Sequence, residues 1–151
     1  MFWRLIYNLI LFPLFMLTII ILSIFSKKIR KGIYGRLTSK KIINNFLPNL
    51  KNKDIYWFHA ASLGEYEQIR PVLVGLREVE PESFFVLSFF SPSGFDFVND
   101  QDIDCKIYLP FDFKWTIRFY LKKINPRKLI LASYDVWPNL IWIAKELNIH
   151  T

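Results

Sequence analysis

The second half of the chain alternates short apolar runs with segments of helical periodicity. The apolar runs are IYWFHA (55–60), FFVLS (84–88), CKIYL (105–109) and KLILA (128–132). Nearly continuous apolar strands separated by helices are typical of a parallel sheet covered on both faces. We therefore predict an α/β fold with a doubly wound parallel sheet over residues 54–151. The final NIHT has the pattern of a fifth strand, so we expect the protein to be incomplete.

Each predicted strand is followed by a predicted helix. After the first strand, apolar residues recur at helical spacing as far as Leu76. Because proline is best tolerated in the first turn of a helix, Pro71 predicts that this helix begins near Glu67 and that Glu65 precedes it on a loop. The last helix is predicted to open at Pro138, since proline is favoured at a helix start.

The first part of the chain contains a long run without any charge, from Leu5 to Phe25. As a helix this run would span about 31 Å, the thickness of a hydrocarbon core. A cleaved signal peptide is the competing interpretation, but the run is too long and SIFSKKIRK offers no small-residue cleavage site. We predict an uncleaved membrane-anchor helix over residues 1–26.

The charge of the chain is unevenly distributed. Nine Lys and Arg and no acidic residue lie between Lys27 and Lys53, whereas residues 54–151 carry ten basic and thirteen acidic side chains. The net charge of +7 therefore belongs to a basic juxtamembrane segment, 27–53, and does not indicate nucleic acid as a partner. By the positive-inside rule, this segment places the rest of the chain on the cytoplasmic side, close to anionic headgroups.

The cysteine and histidine content limits the possible chemistry. Cys105 is the single cysteine, so it cannot form an internal disulfide, and a buried apolar role is the simplest interpretation. The two histidines, His59 and His150, lie far apart, with no Cys or carboxylate at ligand spacing. We predict no metal site.

In doubly wound sheets, ligands bind beyond the carboxyl ends of the strands. The polar and glycine residues of the predicted loops at this edge form the candidate site: Ser62, Gly64, Glu65, Ser91, Ser93, Gly94, Asp112, Asp135 and Asn139.

Glu65 has two possible roles. A carboxylate at the start of a helix is stabilised in its ionised form and can act as a general base toward an attacking hydroxyl. Gly64 would let a substrate approach the backbone closely. Alternatively, Glu65 only caps the helix. Its spacing alone leaves both roles open.

Two other loops are also ambiguous. The hydroxyls and amides of SPSG (91–94) can hold a phosphate or a sugar, or Ser93 can simply cap a helix. Neither a Walker A motif nor a G-x-G-x-x-G motif is present, so a nucleotide-phosphate loop is not indicated. In SYDVWPN (133–139), Asp135 is placed to hydrogen-bond a substrate, and Trp137 to pack under the loop.

Four of these segments resemble motifs of one family, the 3-deoxy-D-manno-octulosonic acid (Kdo) transferases. HAASLGE (59–65) resembles H-A-V-S-V-G-E, and SPSG resembles T-P-T-G. YLPFDF (108–113) resembles Y-L-P-Y-D-L, and DVWPN (135–139) resembles E-L-W-P-N. The order and spacing are those of the family, behind an amino-terminal membrane segment. In place of the family's first glutamate in E-x-E-L-W-P-N, this chain has Ser133.

The resemblance implies the amino-terminal, acceptor-binding domain of a GT-B glycosyltransferase at the inner membrane. Glu65 would be the catalytic base for transfer of Kdo from CMP-Kdo to a lipid A precursor, without a metal or cofactor. The donor-binding domain would be absent from this chain. The candidate acceptor-binding residues are then Ser62, Gly64, Ser91, Ser93, Gly94, Asp135 and Asn139.

Two alternatives to an active enzyme remain at this point. The chain could be a truncated, membrane-anchored module that binds a glycolipid without catalytic activity. It could also be an unrelated membrane-tethered α/β protein in which Glu65 is only a cap.

Overall fold

A parallel sheet forms the centre of the fold. The computed structural model describes residues 2–50, 53–133 and 135–151, apart from the side chains at 47 and 49. The described residues form four parallel strands in the order β3-β2-β1-β4. They are β1 (Ile55–Ala60), β2 (Phe84–Phe89), β3 (Cys105–Tyr108) and β4 (Lys128–Leu131). All four predicted strands are confirmed, and a parallel bridge between His150 and Lys128 marks the predicted fifth.

Helices cover both faces of this sheet. They are α1 (Phe2–Phe25), α2 (Lys27–Phe46), α3 (Leu63–Val79), α4 (Pro92–Phe97), α5 (Lys114–Ile124) and α6 (Pro138–Glu146). Helices α2, α5 and α6 pack on one face, and α3 packs with α4 on the other. The predicted doubly wound α/β architecture is confirmed.

The two faces of the sheet have separate apolar cores. In β1, the side chain of Trp57 enters the core under α5 and α6, and that of Phe58 enters the core under α3. Both are completely buried. Since neighbouring residues of a strand point to opposite faces, burial of both faces requires apolar residues at every position. This is the physical reason for the nearly continuous apolar runs.

The predicted basic segment, 27–53, contributes a helix to the domain. Ile43 of α2 is buried in the same core as Trp57, and Ser39 Oγ accepts a hydrogen bond from the backbone N–H of Tyr108 at 3.0 Å. The predicted boundary at residue 54 thus separates two parts of the chain that share one core in the folded protein. Lys51 of this segment lies outside the described residues.

Helix α3 starts earlier than predicted. It begins at Leu63, with Ser62 as the N-cap, so Glu65 lies in its first turn and Pro71 lies inside it. The predicted start near Glu67 was wrong. Proline removes one backbone hydrogen bond, but Pro71 and Glu67 are both exposed. Water can therefore bind the carbonyl that the proline leaves without a partner.

Helix α1 is apolar and long. Among the described helices it is the one with the length and composition of a membrane span, which is weak evidence for membrane insertion. A π-helical stretch, Tyr7–Leu11, precedes Pro13, and Phe12 N–H donates to Tyr7 O, five residues back. This wider turn accommodates the proline, which cannot continue a regular α-helical hydrogen-bond ladder.

The first half of α1 docks on the α/β domain. Tyr7 Oη donates to Asp112 Oδ2 at 2.8 Å, and Arg4 forms an ion pair with Glu146 of α6. Phe12 is buried against Phe113. The amino-terminal end of α1 therefore lies along the domain. Its other side presents exposed apolar residues, among them Phe2, Leu9, Leu14, Leu17, Ile20 and Ile24.

Candidate functional site

The candidate site lies where the strand order reverses. Strand β1 pairs with β2 on one side and with β4 on the other. The strand order therefore reverses between β1 and β4. In open α/β sheets such a reversal creates a crevice for ligands. Two backbone hydrogen bonds join the loops there, from Ser91 N to Ala61 O at 2.7 Å and from Ala132 N to His59 O at 2.8 Å.

Glu65 lies at this crevice in the first turn of α3. Its Oε2 accepts a hydrogen bond from Ala61 N at 2.5 Å. In a capping box the donor would be the amide of the N-cap residue, and here it is the amide of the residue before the N-cap. Ser62, the N-cap, makes no side-chain capping bond. In the part of the chain that the structure describes, no donor contacts the second carboxylate oxygen, Oε1. Glu65 thus caps the helix through Oε2, and Oε1 remains available for a ligand.

The residues next to Glu65 leave the crevice accessible. Gly64 is exposed, and a Cβ atom built there would meet nothing within 4 Å. Ser62 is partly exposed, and its hydroxyl is not used in the cap. Both positions therefore remain compatible with the predicted contact to an acceptor.

The SPSG loop contains the cap of α4 and a packing glycine. Ser91 is the N-cap, and its Oγ accepts from Ser93 N at 3.3 Å. The expectation that Ser93 would cap this helix was wrong, because the six-residue helix begins at Pro92 and already includes Ser93. A Cβ atom at Gly94 would lie 2.1 Å from the ring of Phe89. Gly94 therefore allows close packing, and its backbone is buried.

Asp135 ends a chain of buried hydrogen bonds. Its Oδ2 lies 2.7 Å from His59 Nε2 and accepts from Trp137 Nε1 at 3.1 Å. His59 Nδ1 lies 2.9 Å from Ser88 Oγ, which accepts from Trp57 Nε1 at 2.8 Å. Burial acts to raise the pKa of Asp135, but the hydrogen bonds from His59 and Trp137 outweigh it and hold this pKa below its ordinary value.

His59 is the site residue that reasoning from sequence missed. It is completely buried at the end of β1, with both ring nitrogens in hydrogen bonds. It does not face the crevice itself, so it acts as a positioning residue for Asp135. The available signal was a polar residue inside an otherwise apolar strand, which requires a buried partner.

Ser133 occupies the position of the family glutamate that this chain lacks. Its φ angle is +48°, in the left-handed region, which is uncommon for residues other than glycine. Its Oγ donates to Gln68 Oε1 on α3, one turn beyond Glu65. The loop after β4 is thereby tied to the helix that carries Glu65.

Asn139 and Asp112 lie elsewhere, between α1, α5 and α6. Asp112 Oδ1 accepts from Leu140 N at 2.9 Å, and its Oδ2 accepts from Asn139 N at 2.9 Å. Asn139 exchanges side-chain hydrogen bonds with Asn8 of α1. Burial raises the pKa of Asp112 to about 6, although the hydrogen bonds from Asn139, Tyr7 and Leu140 act to lower it. These contacts favour a structural role for both side chains.

The predicted site residues therefore separate into two groups. The structure brings Ser62, Gly64, Glu65, Ser91 and Asp135 to the carboxyl edge of the sheet, with Ser93 beside Ser91. Gly94 lets this loop pack closely on Phe89, and Asn139 connects α6 to α1 through its hydrogen bond with Asn8. Over the described residues, no group of three His, Cys, Asp or Glu side chains is arranged to hold a metal.

The fold and these loops define a Rossmann-like α/β domain with a candidate ligand site at the carboxyl edge of its sheet. A sequence model of the 3-deoxy-D-manno-octulosonic-acid transferase (kdotransferase) family matches residues 31–151. The chain belongs to this family and carries its amino-terminal region. The resemblance to this family is thereby confirmed.

Individual relatives agree with this assignment. The chain is 30% identical over 110 residues to the 3-deoxy-D-manno-octulosonic acid transferase of Aquifex aeolicus, covering 70% of this chain and 30% of the relative. It is 27% identical over 150 residues to that of Haemophilus influenzae, covering 92% and 33%. A bifunctional glycosyltransferase/methyltransferase of Fusobacterium nucleatum is 28% identical over 114 residues, covering 73% and 18%. The chain thus spans a third or less of the length of these relatives.

Proposed function

We propose that this chain is the acceptor-binding part of a glycosyltransferase that moves Kdo from CMP-Kdo to a lipid A precursor in lipopolysaccharide biosynthesis. Membership of the family supports the reaction class, and the names of the Aquifex and Haemophilus relatives support Kdo as the transferred sugar. The observation that carries the proposal is the position of Glu65 in the first turn of α3, after β1, with one carboxylate oxygen held by Ala61 N–H.

Glu65 acts as the general base in this proposal. Its Oε1 takes the proton of the acceptor hydroxyl while the hydroxyl oxygen forms a bond to the anomeric carbon of Kdo. The bond from that carbon to the phosphate oxygen breaks, and CMP leaves with the bonding electrons, so the configuration inverts. A positioned base typically contributes about 10² to 10⁴ in rate. The hydrogen bond from Ala61 N holds the carboxylate in place.

The surrounding loops would orient the acceptor. Ser62 and Gly64 lie beside Glu65, and the hydroxyls of Ser91 and Ser93 lie across the crevice, 3.0 Å from each other. Asp135 offers a carboxylate whose pKa is held low, so it accepts hydrogen bonds from sugar hydroxyls at neutral pH. The donor, CMP-Kdo, would be held mainly by a second domain, as the resemblance implies.

The membrane holds the domain near its lipid acceptor. We assign α1 as a membrane anchor because its outer side is a continuous apolar surface. The exposed basic residues that follow, Lys27, Lys28, Arg30 and Lys31, would lie at anionic headgroups on the cytoplasmic face of the inner membrane. Since Arg4 and Tyr7 contact the domain, this arrangement has α1 lying along the membrane surface with its outer side in one leaflet.

The test is the substitution Glu65→Gln in a two-domain form of the protein that includes a donor-binding domain. Glutamine keeps the acceptor oxygen for Ala61 N–H, so the fold is retained, but it cannot take a proton. Transfer of Kdo to a lipid A precursor in detergent should fall at least about 10²-fold. Glu67→Gln, on the exposed side of the same helix, is the matched control. Unchanged turnover of the Glu65 variant would overturn the assignment.

A second measurement separates the enzyme from a binding module. Direct binding of the lipid A precursor to the 151-residue chain should be retained in Glu65→Gln, because the base is needed for transfer and not for affinity. Glycolipid binding by a two-domain form that shows no transfer would favour a membrane-anchored binding module. Absence of glycolipid binding would exclude both functions.

A further inference from the structure

The guanidinium of Arg36 is buried, and no carboxylate among the described residues pairs with it. Arg36 lies on the inner side of α2 and is 7% exposed. Its Nη1 donates to Gly32 O at 2.8 Å, and its Nη2 donates to Phe90 O at 2.9 Å. The guanidinium also lies over the rings of Phe90 and Phe111, at 4.2 and 4.8 Å. Throughout the described part of the chain, its Nε–H has no acceptor.

Within the described residues, this environment leaves a positive charge without a counter-charge. Buried charges in proteins are normally paired, because desolvation disfavours the charged form. Burial lowers the pKa of Arg36 to about 10, so the group is still protonated at neutral pH. Aromatic rings and two carbonyls stabilise it in part. An anion that reaches the guanidinium from the cavity that Arg36 lines would supply this counter-charge.

Arg36 lines a cavity of about 480 Å³ between α1, α2 and the loop after β2. Its wall is apolar and contains Phe15, Ile19, Ile29, Ile33, Phe90 and Phe111. Ser26 and Lys28 lie at the end of the cavity near the junction of α1 and α2, and Ser91 lines it on the side of the sheet. The cavity therefore combines the cationic Arg36 with an apolar wall beside α1.

The cavity shares Ser91 with the candidate site. Phe90, whose carbonyl holds Arg36, is followed by Ser91, and Ser91 N–H donates to Ala61 O at 2.7 Å. Ala61 N–H in turn donates to Glu65. A ligand with an apolar tail and an anionic group in this cavity would thus have its polar end beside Ser91, in the loop that pairs with Ala61.

We propose that this cavity, the Arg36 pocket, receives one acyl chain of the glycolipid acceptor and pairs an acceptor phosphate with Arg36. The assignment rests on the proposed function and specifies how the acceptor is held. The apolar wall fits the chain, and the positive charge at the sheet side of the cavity complements the phosphate. A membrane phospholipid has the same two groups but no sugar to occupy the adjoining crevice.

Three variants of the 151-residue chain test this assignment. Arg36→Gln removes the charge, and Ile29→Trp fills the wall of the cavity from a partly exposed position without touching the guanidinium. Lys41→Gln removes an exposed charge from the same helix, away from the cavity, and is the control. Binding is measured in phosphatidylcholine nanodiscs that contain a phosphorylated lipid A precursor or its dephosphorylated form. Circular dichroism verifies that each variant is folded.

We expect Arg36→Gln and Ile29→Trp each to weaken binding of the phosphorylated glycolipid at least tenfold, and Lys41→Gln to change it less than twofold. The dephosphorylated glycolipid should bind wild type and Arg36→Gln equally, because Arg36 then has no partner to lose. Ile29→Trp should weaken both glycolipids, since both have acyl chains.

Two results would overturn the pocket assignment alone. The first is glycolipid binding that Arg36→Gln and Ile29→Trp leave unchanged. The second is equal competition by phosphatidylglycerol at the same mole fraction, which would make the pocket a general lipid site. If wild type binds neither glycolipid, the proposed function fails as well, so the two failures are distinguishable.

Discussion

His59 Nε2 and Asp135 Oδ2 lie 2.7 Å apart and connect the end of β1 to the loop after β4. The histidine is completely buried, and the aspartate is partly exposed to the crevice. Trp137 donates to the same carboxylate oxygen. The buried His59 thus holds the Asp135 carboxylate in position and does not itself need to contact a ligand.

Breaking this pair should destabilise the domain. Asp135→Asn is expected to cost about 1.5–3 kcal/mol in the free energy of unfolding, the usual range for hydrogen bonds to a charged group. Because the pKa of Asp135 is held below its ordinary value of 3.8, the contribution is present near neutral pH and is lost as the pH falls through the lowered pKa. Chemical unfolding in detergent at pH 7 and below pH 4 measures both effects.

Asp96→Asn is the control for this experiment. Asp96 forms an exposed ion pair with Lys31 at 2.7 Å, and such pairs contribute about 0–1 kcal/mol. Equal effects of the two substitutions would contradict a special role for the His59–Asp135 pair.

Two glycines of the candidate site should respond in opposite ways to alanine. At Gly94 the new Cβ would meet the buried ring of Phe89 at 2.1 Å, so Gly94→Ala is expected to lower stability by about 1–3 kcal/mol. At Gly64 the Cβ would meet nothing, and alanine in a helix gains up to about 1 kcal/mol.

Glycolipid binding distinguishes the roles of these two glycines. Gly64→Ala should weaken binding without loss of stability, because the methyl group intrudes into the crevice where the acceptor would approach. Thermal unfolding and binding titration on the same samples provide the comparison. A Gly64 variant that binds normally would remove this residue from the acceptor site.

The strands and most helix positions were predictable because each depends on residues that are close together in the sequence. Burial on both faces makes strands such as β1 and β2 apolar at every position, and Pro138 marks the start of α6. Helix α2 gave no such signal. Its inner side consists of Gly32, Arg36, Ser39 and Ile43, of which one is apolar and large, and its outer side is strongly basic.

The candidate site was predictable in part for a similar reason. Glu65 lies in the helix turn that follows β1, and Ser91 lies in the loop that follows β2, so the strand ends largely determine their place. The partners of His59, Asp112 and Asn139 are distant in sequence, between 27 and 131 residues away. No periodicity in the chain reports such pairs, and they become visible once α1 and the sheet are folded together.

Asp112 should make stability depend on pH in the opposite sense to Asp135. Its pKa is raised from 3.8 to about 6 in the folded protein, so its contribution is present in full below about pH 4 and is lost as the pH rises through 6. Relative to Asp112→Asn, the free energy of unfolding of wild type should fall by about 2 kcal/mol between pH 4 and pH 7. A difference that is constant or increases with pH would contradict the buried environment of this carboxyl.

The docked position of α1 predicts that both of its ends lie on the same side of the membrane. Phe2 is 68% exposed and lies near Arg4, which contacts Glu146 of the domain. In spheroplasts, a cysteine introduced by Phe2→Cys should resist a membrane-impermeant maleimide and react after lysis. Glu78→Cys, on the exposed side of α3, should behave identically and serves as the domain control.

The native cysteine should not interfere with this measurement. Cys105 is buried in β3, and burial raises the pKa of its thiol to about 12, so it is essentially unreactive at neutral pH. A periplasmic protein with an exposed cysteine verifies that the reagent is active. Labelling of the Phe2 variant, but not of the Glu78 variant, in intact spheroplasts would show that α1 crosses the bilayer. In that case the contacts of Arg4 and Tyr7 with the domain could not persist in the membrane, because a hydrocarbon core about 30 Å thick would separate them.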